Sequence, residues 1–300
     1  MTEHILTLLQ QQKTETIRQD INLVLEGQYK QAYDAMLDAY NAGLYVGLVG
    51  PVGAGKTALC RKFAYDLGLP FDWVTFSDLI RPSTLIGSFD PTLVFKYGFD
   101  DQAFSPGPFT ISALSGGIFL GNELNRGDEY VLNTLLDALE ERKLYIPQLR
   151  SWYNVHDNFY LIAAMNPSEM RGTRKLPSAI KDRIKVWIHL DYPSKSIEQR
   201  IVQANVTEYT LPSSLIEQTL EIVAQTRNDV AVETPASIRS SIAMARLTAE
   251  TAKRLGEEPS KELLAKSATL ILPDAIKVKP GRVPQQYVKD LCSRVLGTHG

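Results

Sequence analysis

Cysteine is scarce: Cys60 and Cys292 are the only two in 300 residues. A lone pair cannot build a disulfide framework and suits a reducing compartment. Histidine is equally thin. His4, His156, His189 and His299 stand far apart, with no H-x-x-x-H or C-x-x-C, so no zinc site is expected. The chain also lacks a dominant charge: 32 Lys and Arg stand against 34 Asp and Glu, for a net −2. That excludes a polyanion binder held by overall charge, though not a local basic patch. No apolar run nears the roughly 18 residues of a membrane-crossing helix. The opening MTEHILTLLQQQ has neither a basic n-region nor a sustained apolar core. No secretory leader is therefore expected, and the expected location is cytoplasmic. No G-x-S-x-G elbow appears either. What is present is ordinary globular composition, 44% apolar and 22% charged, with length for about two domains.

The pattern of residues 1–193 predicts an α/β domain, and that of 194–300 a smaller helical one. Ile17, Ile21, Val24 and Leu25 recur at helical spacing, as do Tyr33, Met36, Leu37 and Tyr40. Leu44 to Val49 is a short apolar run between glycines, suited to a strand buried on both faces. A glycine-rich loop, a helix through Leu59, Phe63 and Leu67, and a strand at 71–76 follow. That order is the βαβ signature of a parallel sheet. Residues 80–108, crowded with Pro, Gly and aromatics, read as a hairpin-bearing insertion. Further strands are expected at 118–120, 160–165 and 186–190, a continuous helix through Leu132, Leu135, Leu136 and Leu139, and a second hairpin within 144–159. Beyond Pro193 only helices are expected. Ser196 with Gln199 and Ser214 with Glu217 read as capping boxes, and Thr234–Pro235 as a helix start.

The sharpest signal is GPVGAGKT, Gly50 to Thr57, which fits G-x-x-x-x-G-K-[ST] between a predicted strand and a predicted helix. Glycines let backbone amides turn toward phosphate oxygens, and the helix that opens there presents its positive end to the same anion. Gly50, Pro51, Val52, Gly53, Ala54, Gly55 and Lys56, with Thr57 and Ala58, are the candidate nucleotide contacts. Lys56 can neutralise the β- and γ-phosphates, and the Thr57 hydroxyl can ligate Mg²⁺. Downstream, GGIFLGNELNR is an apolar strand ending in Asn122–Glu123. Strand C-termini are where open α/β sheets place ligand chemistry, so Glu123 is the candidate to polarise an attacking water. Asn122 stands where an acid beside the metal is usual. Its amide oxygen can accept a bond from a metal-bound water but brings no charge.

Together these strings resemble MoxR-type AAA+ ATPases across most of residues 20–275. Gly27–Gln28 resembles the family's motif ahead of the nucleotide-binding strand, and FSPGPF (104–109) its lead into the acidic strand. NELNR resembles D-E-[IL]-N-R, AAMNP (163–167) the strand with the sensor Asn, LPSAIKDR (176–183) the L-P-E-A-x-x-D-R string, and ASIR (236–239) the lid's S-P-R. The resemblance implies an αβα P-loop core with a helical lid, binding ATP and Mg²⁺. It makes Asn166 a sensor of the γ-phosphate or attacking water. Arg183 becomes an arginine finger for a neighbouring subunit, and Arg239 the lid sensor. Backbone near Val24 and Gly27 would pack around adenine. A trans arginine implies a homo-oligomeric ring, by resemblance a hexamer.

The basic residues Arg171, Arg174, Lys175, Lys181, Arg183 and Lys185 suit a subunit edge or, less favoured, a nucleic-acid patch. Phe95, Lys96, Tyr97, Arg150, Trp152 and Tyr153 suit gripping a polypeptide, stacking on bases, or small local cores. The implied activity is ATP hydrolysis coupled to remodelling a client protein or inserting a metal or cofactor, with a von Willebrand A-domain protein as the family's frequent partner. A nucleic-acid motor and a weakly hydrolysing nucleotide-dependent scaffold are the alternatives. Because Asn122 departs from the family's Asp, the resemblance also implies slow turnover.

Overall fold

The computed structural model describes residues 23–167, 174–207 and 211–297. Ile17, Ile21, His4, Arg171 and His299 lie outside the described residues. The rest falls into two compact units, one of 29–51 and 55–190, the other of 23–28, 52–54 and 191–297.

Up to residue 190 the elements are α1 (Gln28–Asn41), β1 (Tyr45–Val49), α2 (Lys56–Asp66), β2 (Phe71–Thr75), α3 (Pro82–Ile86), β3 (Gly87–Phe89), α4 (Pro91–Tyr97), β4 (Phe104–Pro106), α5 (Pro108–Ser115), β5 (Ile118–Asn122), α6 (Glu129–Leu132), α7 (Leu136–Glu140), β6 (Lys143–Ile146), β7 (Ser151–Asn154), β8 (Tyr160–Met165), α8 (Ser178–Arg183) and β9 (Ile184–His189). Five parallel strands form the main sheet in the order β2-β5-β8-β1-β9. The three middle strands are buried on both faces, as their unbroken apolar runs require. Register is tight: Val46 pairs with Ile162, and Asn122 lies between Thr75 and Ala164. β5, β8 and β1 are thus neighbours running the same way, and their C-terminal ends meet at one sheet edge.

Several expectations need correction. The leucine helix at 132–139 is broken: a 3-10 turn over Asn133–Leu135 separates α6 from α7, while Leu132, Leu135 and Leu139 stay buried. In the first insertion β3 and β4 pair antiparallel, but the aromatic stretch 93–97 is helical. Asp90 starts that helix, accepting from the amides of Thr92 and Leu93. The second hairpin forms as β6 and β7, with Tyr145 opposite Trp152. Helix α1 buries Tyr29, Ala32, Met36 and Ala39, so its core face is turned from the Tyr33–Leu37 stripe, of which only Met36 is fully covered. Cys60 is in the core, where burial pushes its thiol up to about 12.

The second unit holds α9 (Lys195–Asn205), α10 (Ser213–Asn228), β10 (Val232–Thr234), α11 (Ile238–Leu255), α12 (Lys261–Ala275), β11 (Lys277–Val278) and α13 (Pro284–Leu296). It is therefore not helix alone, since β10 and β11 pair antiparallel. Its main core gathers Val223, Met244, Leu264, Leu272, Val288 and Leu291. Neither capping box forms. α9 and α10 begin right after Ser194 and Pro212, leaving Ser196 and Ser214 as their second residues. Prolines just ahead hold the chain extended and move each start upstream. Thr234 ends β10, and α11 opens three residues beyond Pro235, after Ser237.

Candidate active site

The loop between β1 and α2 is shaped by its glycines. Gly53 and Gly55 have φ of +80° and +82°, a region that side chains with a Cβ rarely enter. A Cβ on Gly50 would sit 2.3 Å from the Leu190 carbonyl oxygen, and one on Gly55 3.2 Å from the Tyr29 ring. Gly55 caps α2, and Lys56 and Thr57 are its first two residues.

Lys56 is 8% exposed, and its amine donates to Gly50 O at 2.6 Å, Pro51 O at 2.9 Å and Asn166 Oδ1 at 3.2 Å. A buried ammonium ringed by oxygens at the mouth of a glycine cradle is the arrangement a triphosphate needs. Asn166, one residue beyond β8, carries the link onward: its Nδ2 donates to Glu123 Oε1 at 3.5 Å. Lys56, Asn166 and Glu123 are thus joined side chain to side chain across the ends of β1, β8 and β5. Glu123 has φ +53°, an uncommon conformation for a residue with a side chain.

Asn122 donates to Thr75 Oγ1 at 3.2 Å, which commits its NH₂ and leaves the amide oxygen as its acceptor end. Among the described residues no three His, Cys, Asp or Glu side chains gather to hold a metal. A P-loop Mg²⁺ asks less of the protein, a hydroxyl and an oxygen beside phosphates, and Thr57 and Asn122 offer that set. The cradle, the buried amine and these two oxygens fit Mg-ATP.

Arg183 ends α8 and pairs with Glu140 and Asp182. Arg239 is exposed on the first turn of α11, two residues past Ser237. In the second unit, Gly27 has φ +52°, and a Cβ there would meet Ile197 at 2.6 Å. Val24 O accepts from Glu26 N, and Gln28 exchanges two hydrogen bonds with the Asp191 backbone. Of the aromatic residues in the two insertions, Phe95 and Trp152 are exposed. Tyr153 is turned inward, its hydroxyl buried and its pKa raised by that burial.

Two site residues were missed by sequence reasoning although they lie inside the NELNR string. Asn125, 3% exposed, donates to the Asn166 carbonyl at 3.0 Å and braces that residue. Arg126 Nε meets Glu123 Oε2 at 2.7 Å. Arg126 stands three residues past Glu123, a spacing too common on helical turns to serve as a signal, and the offset of Asn125 carries none.

The sequence family described as AAA domain (dynein-related subfamily) matches residues 46–184, the span that contains this constellation. Chaperone MoxR1 of Mycobacterium tuberculosis is 28% identical over 61% of this chain and 45% of its own. Protein MoxR of Paracoccus denitrificans is 28% identical over 90% of this chain and 76% of its own. The chain is similar to MoxR-type AAA+ proteins. Gas vesicle ATPase GvpN of Haloferax mediterranei is also similar, 27% identical over 67% of this chain and 62% of its own. The chain spans about three-fifths of the length of the first curated relatives it matches. Its fold is that of the Thermotoga maritima RuvB Holliday junction branch migration motor, with TM-score 0.53 at 14% identity over 83% of this chain and 71% of that one. No helix among the described residues is long and apolar enough to cross a membrane.

Proposed function

We propose that this chain binds ATP with Mg²⁺, hydrolyses it to ADP and phosphate, and uses the cycle to remodel a client protein. The observation that carries the reading is the Lys56–Asn166–Glu123 chain at the shared end of β1, β8 and β5. The loop amides of 50–57 hold the phosphates, with Ala58 the next amide of the opening helix. Lys56 neutralises the β- and γ-phosphates. Thr57 and Asn122 would hold Mg²⁺, which would supply positive charge beside the phosphates. Glu123 takes the proton of the attacking water, and Asn166 orients that water or the γ-phosphate. Arg126 competes for the same carboxylate, so Glu123 works as a base when that pair opens. Backbone at Val24 and Gly27 borders adenine, and Arg239 reports the γ-phosphate to the helical unit.

Arg183 acts in trans, which requires a ring, by resemblance a hexamer. An arginine across an interface contributes on the order of 10³–10⁵ in rate to nucleotide hydrolysis. A protein client suits the chaperone name of MoxR1 and the exposed Phe95 and Trp152. A von Willebrand A-domain partner stays within this proposal.

The test is phosphate release and calorimetry on purified protein with Mg-ATP. Wild type should bind and turn over, Lys56→Ala should lose binding, and Glu123→Gln should bind but stall. If wild-type protein takes up no adenine nucleotide, the reading fails.

A further inference from the structure

Tyr192 is joined to the glycine loop by an arrangement that the catalytic reading does not use. Its hydroxyl donates to the Val52 carbonyl oxygen at 3.1 Å. The ring lies against the Arg227 guanidinium, whose carbon is 4.0 Å from the ring centroid. That guanidinium is fixed in turn. It makes a two-pronged pair with Glu198, Nη1 to Oε2 at 2.7 Å and Nη2 to Oε1 at 2.8 Å, and its Nε donates to Ala236 O at 3.2 Å. Glu198 is 4% exposed, and Ser241 Oγ donates to it as well, at 3.2 Å. A buried pair satisfied on both sides is rigid, and it presents a flat cationic face on which an aromatic ring stacks in one orientation.

Gly53, which belongs to the same unit as Tyr192, has a close neighbour there. A Cβ on Gly53 would lie 2.3 Å from Ser237 Cβ, so the glycine's bare α-carbon is what lets Ser237 approach. Gly53 follows Val52, and the peptide between them is trans. In a planar trans peptide the carbonyl and the next N–H point opposite ways. A hydroxyl that fixes the Val52 oxygen therefore also fixes the direction of the Gly53 amide. Glycine at φ +80° would otherwise let that peptide plane flip at little cost.

We infer that Tyr192 is a positioning residue for nucleotide binding: seated on the Arg227–Glu198 pair, it sets the orientation of the 52–53 peptide and so aims the Gly53 amide. The inference rests on the P-loop reading above. Packing alone asks for the ring, which phenylalanine would supply. The hydroxyl adds only the bond to the loop.

The test is Tyr192→Phe, read in two ways. In nucleotide-free protein, amide exchange at 53–54 should quicken several-fold while the melting temperature stays near wild type. With Mg-ADP and Mg-ATP, Kd should rise about threefold to tenfold, the scale of one lost hydrogen bond, with KM following and kcat held. Tyr192→Leu, which removes the ring too, should lose at least as much. Arg227→Lys, which keeps the charge without the flat face, should fall between wild type and Tyr192→Phe. Unaltered exchange and Kd in Tyr192→Phe would overturn the positioning role. Absence of nucleotide binding by wild type would instead condemn the P-loop reading, and the exchange measurement would still judge Tyr192.

Discussion

Asn122 sits beside the proposed water activator with its NH₂ bound to Thr75 and only a neutral oxygen to offer a metal-bound water. Replacing it with aspartate adds a charge at that oxygen without lengthening the side chain, and the Thr75 hydroxyl can reverse its role and donate. Asn122→Asp should therefore turn over ATP several-fold faster than wild type at saturating Mg²⁺. A rate equal to or below wild type would show that the amide does not limit the reaction. Arg126 works on the same carboxylate neighbourhood from the other side. Its 2.7 Å pair with Glu123 was hidden in the sequence, because an arginine three residues past a glutamate is commonplace on any helical turn. Lys56 was plain in the sequence, since a glycine-rich string stands before it and a helical pattern after it.

Among the elements, the order β5-β8-β1 decides the site, for it brings three strand ends together from residues far apart in the chain. The apolar runs at 44–49, 118–120 and 160–165 announced these strands, and the βαβ order announced that they were parallel. Helix starts were less legible. Pro193 and Pro212 outweighed the Ser–Gln and Ser–Glu signals, and β10–β11 was too short for periodicity to register. Close packing between strands was also invisible. Gly47 faces Trp187 across β1 and β9, and a Cβ there would fall 2.3 Å from ring atoms. Gly47→Ala should thus cost about 1–3 kcal/mol in chemical denaturation, the usual price of overpacking. Trp187→Leu in the same chain should recover much of it. A different signature belongs to Asp72 on β2. Burial raises its pKa, and the Ser112 hydroxyl, donating at 3.1 Å, only partly opposes this. A carboxyl whose folded pKa lies above its unfolded value binds its proton better in the folded state. Its contribution is fully present below the ordinary aspartate value of about 3.9 and is lost as pH rises through the folded pKa. Asp72→Asn, which can still accept from Ser112, should raise the melting temperature at neutral pH and lose that advantage in acid. A gain that grows on acidification would contradict this sign.

At the scale of the whole molecule the open question is where Arg183 acts. In one chain it is bound to Glu140 and Asp182, so its guanidinium is occupied by local carboxylates. A finger for a neighbouring nucleotide must give up that pairing when copies meet, and the neighbour's phosphates are the stronger acceptor. Trans action has a consequence that no single-chain mechanism shares. Glu123→Gln lacks the base but keeps the finger, while Arg183→Ala keeps the base and lacks the finger. Each alone should bind ATP and hydrolyse it poorly. In a ring mixed from equal amounts, a site is whole when its own subunit carries Arg183→Ala and the arginine donor beside it carries Glu123→Gln. Random assembly makes that arrangement at one half times one half, about a quarter of the interfaces. Mixing the two impaired proteins should therefore restore about a quarter of the wild-type rate per subunit, rising with protein concentration as rings form. Dilution should abolish the recovery before it abolishes nucleotide binding. A mixture no more active than the sum of its parts, under conditions where sedimentation shows assembled rings, would place Arg183 outside the reaction and return it to Glu140 as a structural residue of α7 and α8.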